Sequence, residues 1–112
     1  MKKLEIIIKP EKLESLQEIF EECKAHGAMV SNIQGYGNQK GHKELYRGAE
    51  LDTKMLPKLR VETVTDDNTA EVIIGRVVEN IKTGNYGDGK IFVYQVEDAV
   101  RIRTGEHGAE AL

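Results

Sequence analysis

The sequence predicts an α+β domain in which four strands and two helices follow in the order βαββαβ. Three observations support this fold class. Apolar and polar residues alternate in four segments, as in half-buried strands, and apolar residues recur at three- and four-residue spacing in two others, as in amphipathic helices. The length of 112 residues suits one domain, which we assign to residues 1–112.

The first strand and the first helix have the clearest patterns. Leu4, Ile6 and Ile8 alternate with charged residues. Pro10 ends this strand and can occupy the first turn of the following helix, where a missing N–H costs little. The apolar face of that helix consists of positions three and four apart: Leu13, Leu16, Ile19, Phe20 and Cys23.

A segment without apolar periodicity, residues 38–55, separates the second strand, residues 29–36, from the third. A structureless loop of this length is uncommon in a compact domain unless it is functional. We therefore predict a functional loop, and a tolerated disordered insertion is the alternative. Its apolar residues favour a loop that docks on a partner, and they are Leu45, Tyr46, Leu51 and Met55. The third strand is expected to start at Pro57.

The second helix is predicted from its start signals and its apolar face. Asn68, with Glu71 three residues later, resembles a capping box, and the acidic residues beside it suit the positive end of a helix. Gly84 is expected to end the helix. The apolar positions between these limits are Ala70, Ile73, Ile74, Val77, Val78 and Ile81.

The last strand, residues 91–96, is apolar on both faces. Ile91 and Val93 share one face, and Phe92 and Tyr94 share the other. Two helices of this size can cover only one face of a four-stranded sheet, so the second face needs a partner, and another copy of the chain is the simplest one. The pattern predicts a ferredoxin-like four-stranded antiparallel sheet in a homo-oligomer, although this fold alone does not determine a function.

Composition excludes several classes of protein. Charged residues make up 31% of the chain and the net charge is −3, whereas a nucleic-acid-binding protein normally has a basic surplus. No apolar run approaches the roughly 18 residues of a membrane-spanning helix. The charged start, Met1 to Lys3, indicates no signal peptide, and the single cysteine, Cys23, suits a reducing cytoplasm. The three histidines are far apart in sequence and give a zinc site little support.

Residues 83–94 combine a glycine-rich loop with the start of a strand. Gly84 and the pair Gly89-Lys90 have the first part of the spacing of a phosphate-binding Walker loop, but Ile91 stands where a serine or threonine would hold magnesium. This loop also follows a helix and opens a strand, the reverse of a Walker loop. The pattern therefore favours nucleotide sensing over nucleotide hydrolysis.

Arg101 and Arg103 are two residues apart, so both would point the same way in an extended strand. The alternation of Val100, Arg101, Ile102 and Arg103 favours such a strand over a solvated basic tail. Arginine presents a rigid fork that matches phosphate oxygens, so with Lys90 this segment offers three cations to a polyphosphate. No nucleophile–base pair or carboxylate pair indicates catalysis.

Three segments are distinctive when taken together: Gly37-x-Gln39-Lys40-Gly41-His42-x-Glu44-Leu45-Tyr46-Arg47-Gly48-Ala49-Glu50, Thr83-Gly84-x-x-Gly87-Asp88-Gly89-Lys90-Ile91-Phe92-Val93-Tyr94 and Arg101-Ile102-Arg103-Thr104-Gly105-Glu106. In this order they resemble the PII signal-transduction family of nitrogen-regulatory proteins, over essentially the whole chain. The resemblance implies a homotrimer that binds ATP or ADP in the clefts between subunits. It also implies a long T-loop, residues 37–55, that docks on transporters, enzymes or regulators.

The resemblance also implies site residues. The family's B-loop matches residues 83–90 and its C-loop residues 101–104, and the positions expected at the phosphates are Gly87, Asp88, Gly89, Lys90, Arg101 and Arg103. The nucleotide cleft matches Gly35, Gly37, Asn38, Glu62 and Val64. In members that sense 2-oxoglutarate, Gln39 would contact its magnesium and Lys58 its carboxylate, beside Lys40 and Gly41. Partner contacts in the T-loop are expected at Lys43, Leu45, Tyr46, Arg47 and Leu51.

Several positions depart from the family pattern. Leu51 replaces the tyrosine that is nucleotidylated in some members, and Ala49 replaces the serine that is phosphorylated in others, so neither modification is expected here. Asn38 replaces an arginine beside the nucleotide, Met29 a threonine near the base, and Tyr86 a smaller aliphatic residue beside the metabolite pocket. These changes would weaken ATP relative to ADP, or abolish 2-oxoglutarate binding.

The function expected from these residues is that of a cytoplasmic, non-enzymatic sensor of ATP and ADP that controls a partner protein through the T-loop. The expected partner is a membrane transporter, such as an ammonium channel, or a regulatory enzyme; contact with a membrane would occur only through that partner, and no nucleic acid is involved. The alternatives are an energy sensor that does not respond to 2-oxoglutarate, a weak ATPase, and a structural trimeric adaptor. The polar residues 106–112 are expected to be mobile.

Overall fold

Six regular elements follow in the predicted βαββαβ order. The computed structural model describes residues 1–36 and 55–112. Its strands and helices are β1 (Lys2–Ile8), α1 (Leu13–Glu22), β2 (Met29–Gly35), β3 (Leu56–Thr65), α2 (Asp67–Ile81) and β4 (Lys90–Gln95). A 3-10 turn at Pro10–Lys12 leads into α1, and a second one lies at Gly108–Ala111.

Part of the predicted site falls in the one internal gap of this description, residues 37–54. The nucleotide and metabolite positions outside the described residues are Gly37, Asn38, Gln39, Lys40 and Gly41. The predicted partner contacts Lys43, Leu45, Tyr46, Arg47 and Leu51 also lie outside them. Only the end of the predicted T-loop, Met55, is described.

The four strands form one antiparallel sheet in the order β2-β3-β1-β4. Ile6 pairs with Val61 of β3 on one side and with Ile91 of β4 on the other. Because alternate residues of a strand point to opposite faces, this register places the apolar residues of all three strands on the same face. The sheet is the predicted ferredoxin-like arrangement, and the prediction is confirmed.

Both helices pack on that face of the sheet and form a single core with it. The buried residues that form the core are Leu4, Ile6, Ile8, Leu16, Ile19, Phe20, Leu59, Val61, Ala70, Ile73, Val77 and Ile81. Cys23 lies on the apolar face of α1 and packs against this core, but it is only partly buried. An ion pair between Arg76 of α2 and Glu22 of α1 joins the helices at their outer surface.

No helix of residues 1–36 or 55–112 covers the opposite face of the sheet. Phe92 and Tyr94 of β4 are each 46% exposed there. The Tyr94 hydroxyl donates to Glu5 at 2.9 Å, and this hydrogen bond raises the pKa of Tyr94. The Lys3 ammonium lies 4.7 Å from the centre of the Tyr94 ring and 3.5 Å from a Glu62 carboxylate oxygen. This open face therefore combines exposed aromatic rings with paired charges.

Three predicted boundaries were wrong. The N-cap of α2 is Asp66 rather than Asn68, because the Asp66 carboxylate accepts the Thr69 backbone N–H at 2.8 Å. That hydrogen bond, followed by one from the Thr69 hydroxyl, lowers the pKa of Asp66. The helix ends at Ile81, before Gly84.

The third boundary concerns Pro57, which is the second residue of β3 and not its first. Pro57 pairs with Gln34 of β2, whereas β1 pairs with β3 only from Leu59 onward. At Pro57 the strand therefore has a neighbour on one side only, where the missing N–H of proline is tolerated.

No helix among residues 1–36 and 55–112 is both long enough and apolar enough to cross a membrane.

Candidate functional site

The glycine loop, residues 83–90, is closed by the carboxylate of Asp88. This carboxylate accepts the Thr83 hydroxyl and the Thr83 backbone N–H, each at 2.6 Å, and the Gly84 backbone N–H at 2.9 Å. The hydrogen bond from the Thr83 hydroxyl contributes most to a lowered pKa of Asp88, and the Thr83 backbone N–H contributes next. Asp88 was predicted to lie at the phosphates as part of the B-loop, whose backbone amides would be the donors, and this stays a prediction; its carboxylate oxygens accept hydrogen bonds from within the loop.

We predict that Asp88→Ala loosens the glycine loop without unfolding the domain. With three hydrogen bonds removed, the amide exchange of Thr83 and Gly84 should accelerate by about tenfold or more. Hydrogen exchange at neutral pH measures this, and Glu79→Ala, which removes an exposed carboxylate from α2, is the control.

Acid should have the same effect on the unmodified protein. The pKa of Asp88 in the folded protein is lower than its unfolded value, which is near 3.8. Such a carboxylate stabilises the fold above the unfolded pKa, and this stabilisation is lost as the pH falls through the folded pKa. The loop should therefore be ordered at pH 5 and loosen below 3.8. Equal exchange in Asp88→Ala and the unmodified protein would contradict this role for the carboxylate.

The end of the loop lies directly against β1. Gly89 has φ +112°, and a Cβ added there would lie 1.8 Å from the Ile7 carbonyl oxygen. Only glycine fits this approach. The next residue, Lys90, pairs with Ile7 and begins β4, so the close contact sets the start of the strand and the position of the lysine.

Two more lysines lie beside the loop. The Lys58 ammonium of β3 donates to the Gly87 carbonyl oxygen at 3.0 Å. The Lys9 side chain passes within 3.4 Å of the space that a Cβ on Gly87 would fill, and its charge helps to lower the pKa of Asp88. Lys9 was not among the predicted site residues; its position directly after a strand that ends beside the loop was the signal available in the sequence.

The remaining described cleft residues lie along the sheet. Gly35 ends β2 opposite Leu56, at the same end of the sheet as Lys58. Glu62 and Val64 lie on the open face of β3, where the Glu62 carboxylate forms an ion pair with the Lys3 ammonium. The structure thus places Gly35 near the glycine-loop end, and Val64 near the opposite end.

The segment that contains the two arginines is a turn, so the predicted extended strand at residues 100–103 was wrong. The Gly105 N–H donates to the Arg101 carbonyl oxygen at 2.7 Å, and Val100 forms an isolated bridge with His107. We call residues 101–106 the C-terminal turn. Arg103 and Ile102 are exposed at its tip, and Ile102 is 99% exposed. Arg101 and Arg103 therefore do not share the face of a strand.

The residues after this turn are ordered, contrary to the prediction that they are mobile. Asp98 accepts the Gly108 N–H at 3.1 Å, and its other oxygen lies 2.9 Å from His107 Nδ1. The contact with His107 contributes most to a lowered pKa of Asp98. Arg101 Nη2 donates to the Leu112 carbonyl oxygen at 2.8 Å. These hydrogen bonds, all between residues 98 and 112, join parts of a segment whose own sequence is polar.

The two groups of cations are attached to opposite ends of β4. Lys90 begins β4, whereas the chain leaves the other end of β4 beside Met1, where the Val96 N–H donates to the Met1 carbonyl oxygen at 3.1 Å. The six residues of β4 separate these ends by about 17 Å. Lys90 and the glycine loop thus stand at the start of β4, and the two arginines follow its other end along the chain.

The described residues contain no group of three or more histidine, cysteine, aspartate or glutamate side chains that could hold a metal ion. The chemistry available at both ends is the binding of an anion by cations and backbone amides.

Comparisons with known proteins identify the family of this chain. Residues 1–106 match the family model "Nitrogen regulatory protein P-II". The chain is 49% identical to the nitrogen regulatory protein P-II of Rhodospirillum rubrum and 50% identical to that of Rhizobium meliloti, in each case over all 112 residues and the full length of both proteins. The solved structure of Bacillus subtilis GlnK superposes with a TM-score of 0.82 at 37% identity, covering 99% of this chain and 97% of that one. This chain belongs to the P-II family of nitrogen regulatory proteins.

Proposed function

We propose that this protein is a non-enzymatic sensor that binds ATP and ADP competitively between the subunits of a homotrimer and controls a partner protein through the T-loop. One observation supports this proposal above the others. The phosphate-binding candidates are divided between opposite ends of β4, with Lys90 at one end and Arg101 and Arg103 beyond the other. A site shared between two copies of the chain would bring both groups to one polyphosphate.

The glycine-loop end suits a polyphosphate in its charge. Lys58, Lys90 and the side chain of Lys9 supply three cations around the loop. The one carboxylate of the loop, Asp88, accepts hydrogen bonds from Thr83 and Gly84. The cations therefore outnumber the anions, and Lys90 and Arg103 would hold the phosphates when a nucleotide is bound.

The open face of the sheet supports a self-assembled oligomer. Phe92 and Tyr94 are exposed on that face of a single chain, beside the charge pairs made by Lys3 and Glu5. Exposed aromatic rings next to paired charges are typical of surfaces that a partner covers. A second and third copy would cover this face and bring the two ends of neighbouring sheets together.

Position 91 argues against an ATPase. Ile91 pairs with Ile6 and packs against the core, on the face that the helices cover. The residue that would supply a magnesium-binding hydroxyl in a Walker loop is thus apolar and directed into the protein. Nucleotide turnover that persists in Lys90→Ala would indicate a contaminating enzyme.

Binding of a metabolite, 2-oxoglutarate, is a second part of the proposal. The Lys58 ammonium uses one donor on Gly87 and keeps two for a carboxylate such as that of 2-oxoglutarate. The predicted magnesium contact, Gln39, lies outside the described residues. If 2-oxoglutarate with ATP and magnesium gives no heat and leaves nucleotide affinity unchanged, the protein senses only the ratio of ATP to ADP.

The relatives are named nitrogen regulatory proteins, which supports a role of this chain in the regulation of nitrogen metabolism. We infer a cytoplasmic protein whose partner is a membrane transporter, such as an ammonium channel, or a regulatory enzyme. A pull-down from cell extract in ATP and, separately, in ADP tests this, and the expected result is a partner retained in one nucleotide and released in the other.

Calorimetry and light scattering test the rest of the proposal. ATP and ADP should each bind with measurable heat, each should displace the other, and the mass in solution should be three times 12.6 kDa. A monomer, or the absence of binding by both nucleotides, would contradict the proposal. A trimer without nucleotide binding would instead identify a structural adaptor.

A further inference from the structure

Glu106 closes the C-terminal turn through both its backbone and its side chain. Its carbonyl oxygen accepts the Arg101 N–H at 2.9 Å, and its Oε1 accepts Arg101 Nη1 at 3.2 Å. The same Oε1 also accepts the Thr104 hydroxyl at 2.9 Å. One carboxylate oxygen therefore joins the first residue of the turn to the fourth.

The two arginines of the turn differ in their exposure and in their hydrogen bonds. Arg101 is half-buried, with 34% of its side chain exposed, and donates to Glu106 and to the Leu112 carbonyl oxygen. Two of its five N–H donors are engaged in this way. Arg103 is exposed and makes no hydrogen bond or ion pair with another described residue. The position of Arg103 therefore depends on the turn, and the turn depends on Arg101 and Glu106.

We propose that Glu106 is a positioning residue of the nucleotide site: by holding Arg101 inside the C-terminal turn, it presents Arg103 to the phosphates of a nucleotide bound at the neighbouring subunit. This inference rests on the proposed function. Arg101 acts mainly as the clamp of the turn, and Arg103 is the main phosphate contact. A contact that is already oriented loses less conformational freedom when the ligand binds.

The charge of Glu106 and its positioning role have opposite effects on binding. A carboxylate beside two arginines opposes the approach of a phosphate, so removing the charge alone should tighten binding. Removing the clamp should weaken binding, because Arg103 must then be ordered by the ligand. The sign of the change in affinity therefore tells the two roles apart.

Glu106→Gln and Glu106→Ala separate these effects. Glutamine keeps an acceptor oxygen for Arg101 and Thr104 but has no charge, whereas alanine has neither the acceptor nor the charge. We expect ATP and ADP affinities within about threefold of the unmodified protein for Glu106→Gln, and about tenfold weaker for Glu106→Ala. Glu110→Ala, which removes the same charge from the following 3-10 turn, should bind as the unmodified protein does.

Hydrogen exchange without nucleotide gives an independent measurement. The Arg101 and Gly105 amides, which are bonded inside the turn, should exchange several-fold faster in Glu106→Ala and near the original rate in Glu106→Gln. Because the Arg101–Glu106 pair is partly exposed, the melting temperature should change little.

Two results would overturn the inference. If both variants bind ATP more tightly, Glu106 acts only through its charge. If the unmodified protein binds nucleotide and Glu106→Ala binds it equally well with unchanged exchange, the carboxylate positions nothing. A protein that binds neither ATP nor ADP before any substitution would instead refute the proposed function, and with it the role assigned to Glu106.

Discussion

Gly89→Ala should destabilise the domain more than any other substitution in the glycine loop. The added Cβ would lie 1.8 Å from the Ile7 carbonyl oxygen and 2.9 Å from its carbon, and both are backbone atoms of the central strand β1. A flexible side chain could move away, but these atoms can move only if β1 and β4 separate. We expect a loss of about 3 kcal/mol or more in the free energy of unfolding.

Gly84→Ala is the matched control for this substitution. Gly84 lies in the same loop with φ +88°, but a Cβ there would meet nothing within 4 Å. It should cost only the backbone strain of a positive φ, about 1–2 kcal/mol. Urea unfolding at equal protomer concentration measures both variants, since the stability of an oligomer depends on concentration. Equal losses for the two variants would show that β4 can move away from Ile7 at little cost.

Gly89→Ala should also impair nucleotide binding. Lys90 follows Gly89 directly and pairs with Ile7, so a displaced strand moves the lysine with it. For a Gly89→Ala protein that still folds, calorimetry should show weaker binding of both ATP and ADP. Binding that is unchanged in a folded variant would mean that Lys90 is not a phosphate contact, or that its ammonium can reach the ligand from the displaced strand.

Lys90→Ala and Arg103→Ala should each weaken ATP and ADP binding while the oligomer survives. Both side chains are exposed, and neither belongs to the core, so the fold does not depend on them. A hydrogen bond to a charged group contributes about 1.5–3 kcal/mol, which corresponds to a loss of affinity of roughly tenfold to more than a hundredfold. Calorimetry with light scattering on the same samples measures affinity and assembly together.

Two comparisons make this prediction specific. Lys82→Ala removes an exposed lysine that directly precedes the glycine loop, and it should leave affinity nearly unchanged if position matters more than net charge. Adenosine, which has no phosphate, should bind the unmodified protein and both site variants alike. Unchanged ATP and ADP binding in Lys90→Ala and in Arg103→Ala would refute the nucleotide site.

Mixing the two single variants tests whether the site lies between subunits. If one nucleotide touches Lys90 of one chain and Arg103 of another, mixed oligomers assembled from Lys90→Ala and Arg103→Ala chains should recover some intact sites. Each intact site would combine the unchanged lysine of one chain with the unchanged arginine of its neighbour. Recovery of full-affinity sites on mixing supports this division, and mixed oligomers that bind no better than either parent would contradict it.

The apolar periodicity of the sequence was sufficient to predict the fold, because the residues that recur with this periodicity are those that form the core. The alternation of Leu4, Ile6 and Ile8 and the helical spacing of Leu16, Ile19 and Phe20 correspond to residues that are buried in the structure. Burial of a repeated apolar face stabilises a whole element, so the signal extends over many residues and is hard to misread. The boundaries were less certain. Asp66 and Asn68 are both good N-caps, and the choice between them depends on one hydrogen bond, that from Thr69.

The C-terminal turn is a segment whose structure the local alternation of residues did not predict. Val100, Arg101, Ile102 and Arg103 alternate as a strand would, but no neighbouring strand pairs with them beyond the bridge at Val100. Instead, Glu106 and Leu112 bind the Arg101 side chain and close a turn. An alternating segment needs a partner strand to remain extended, and four residues of sequence contain no information about that partner.

The sequence by itself determined the order of elements, the apolar faces, the glycine loop and the family resemblance, because each of these depends on residue types at fixed local spacing. Only the tertiary structure decided what the individual side chains of the site do. Asp88 closes its own loop, Gly89 leaves room for the Ile7 carbonyl oxygen, and Arg101 bonds to Glu106 within the C-terminal turn. The contact at Gly89 joins distant parts of the chain, whereas Asp88 and Arg101 bond to residues only five positions away through the turns that the backbone forms there. The spacing of residues along the chain does not specify these backbone conformations.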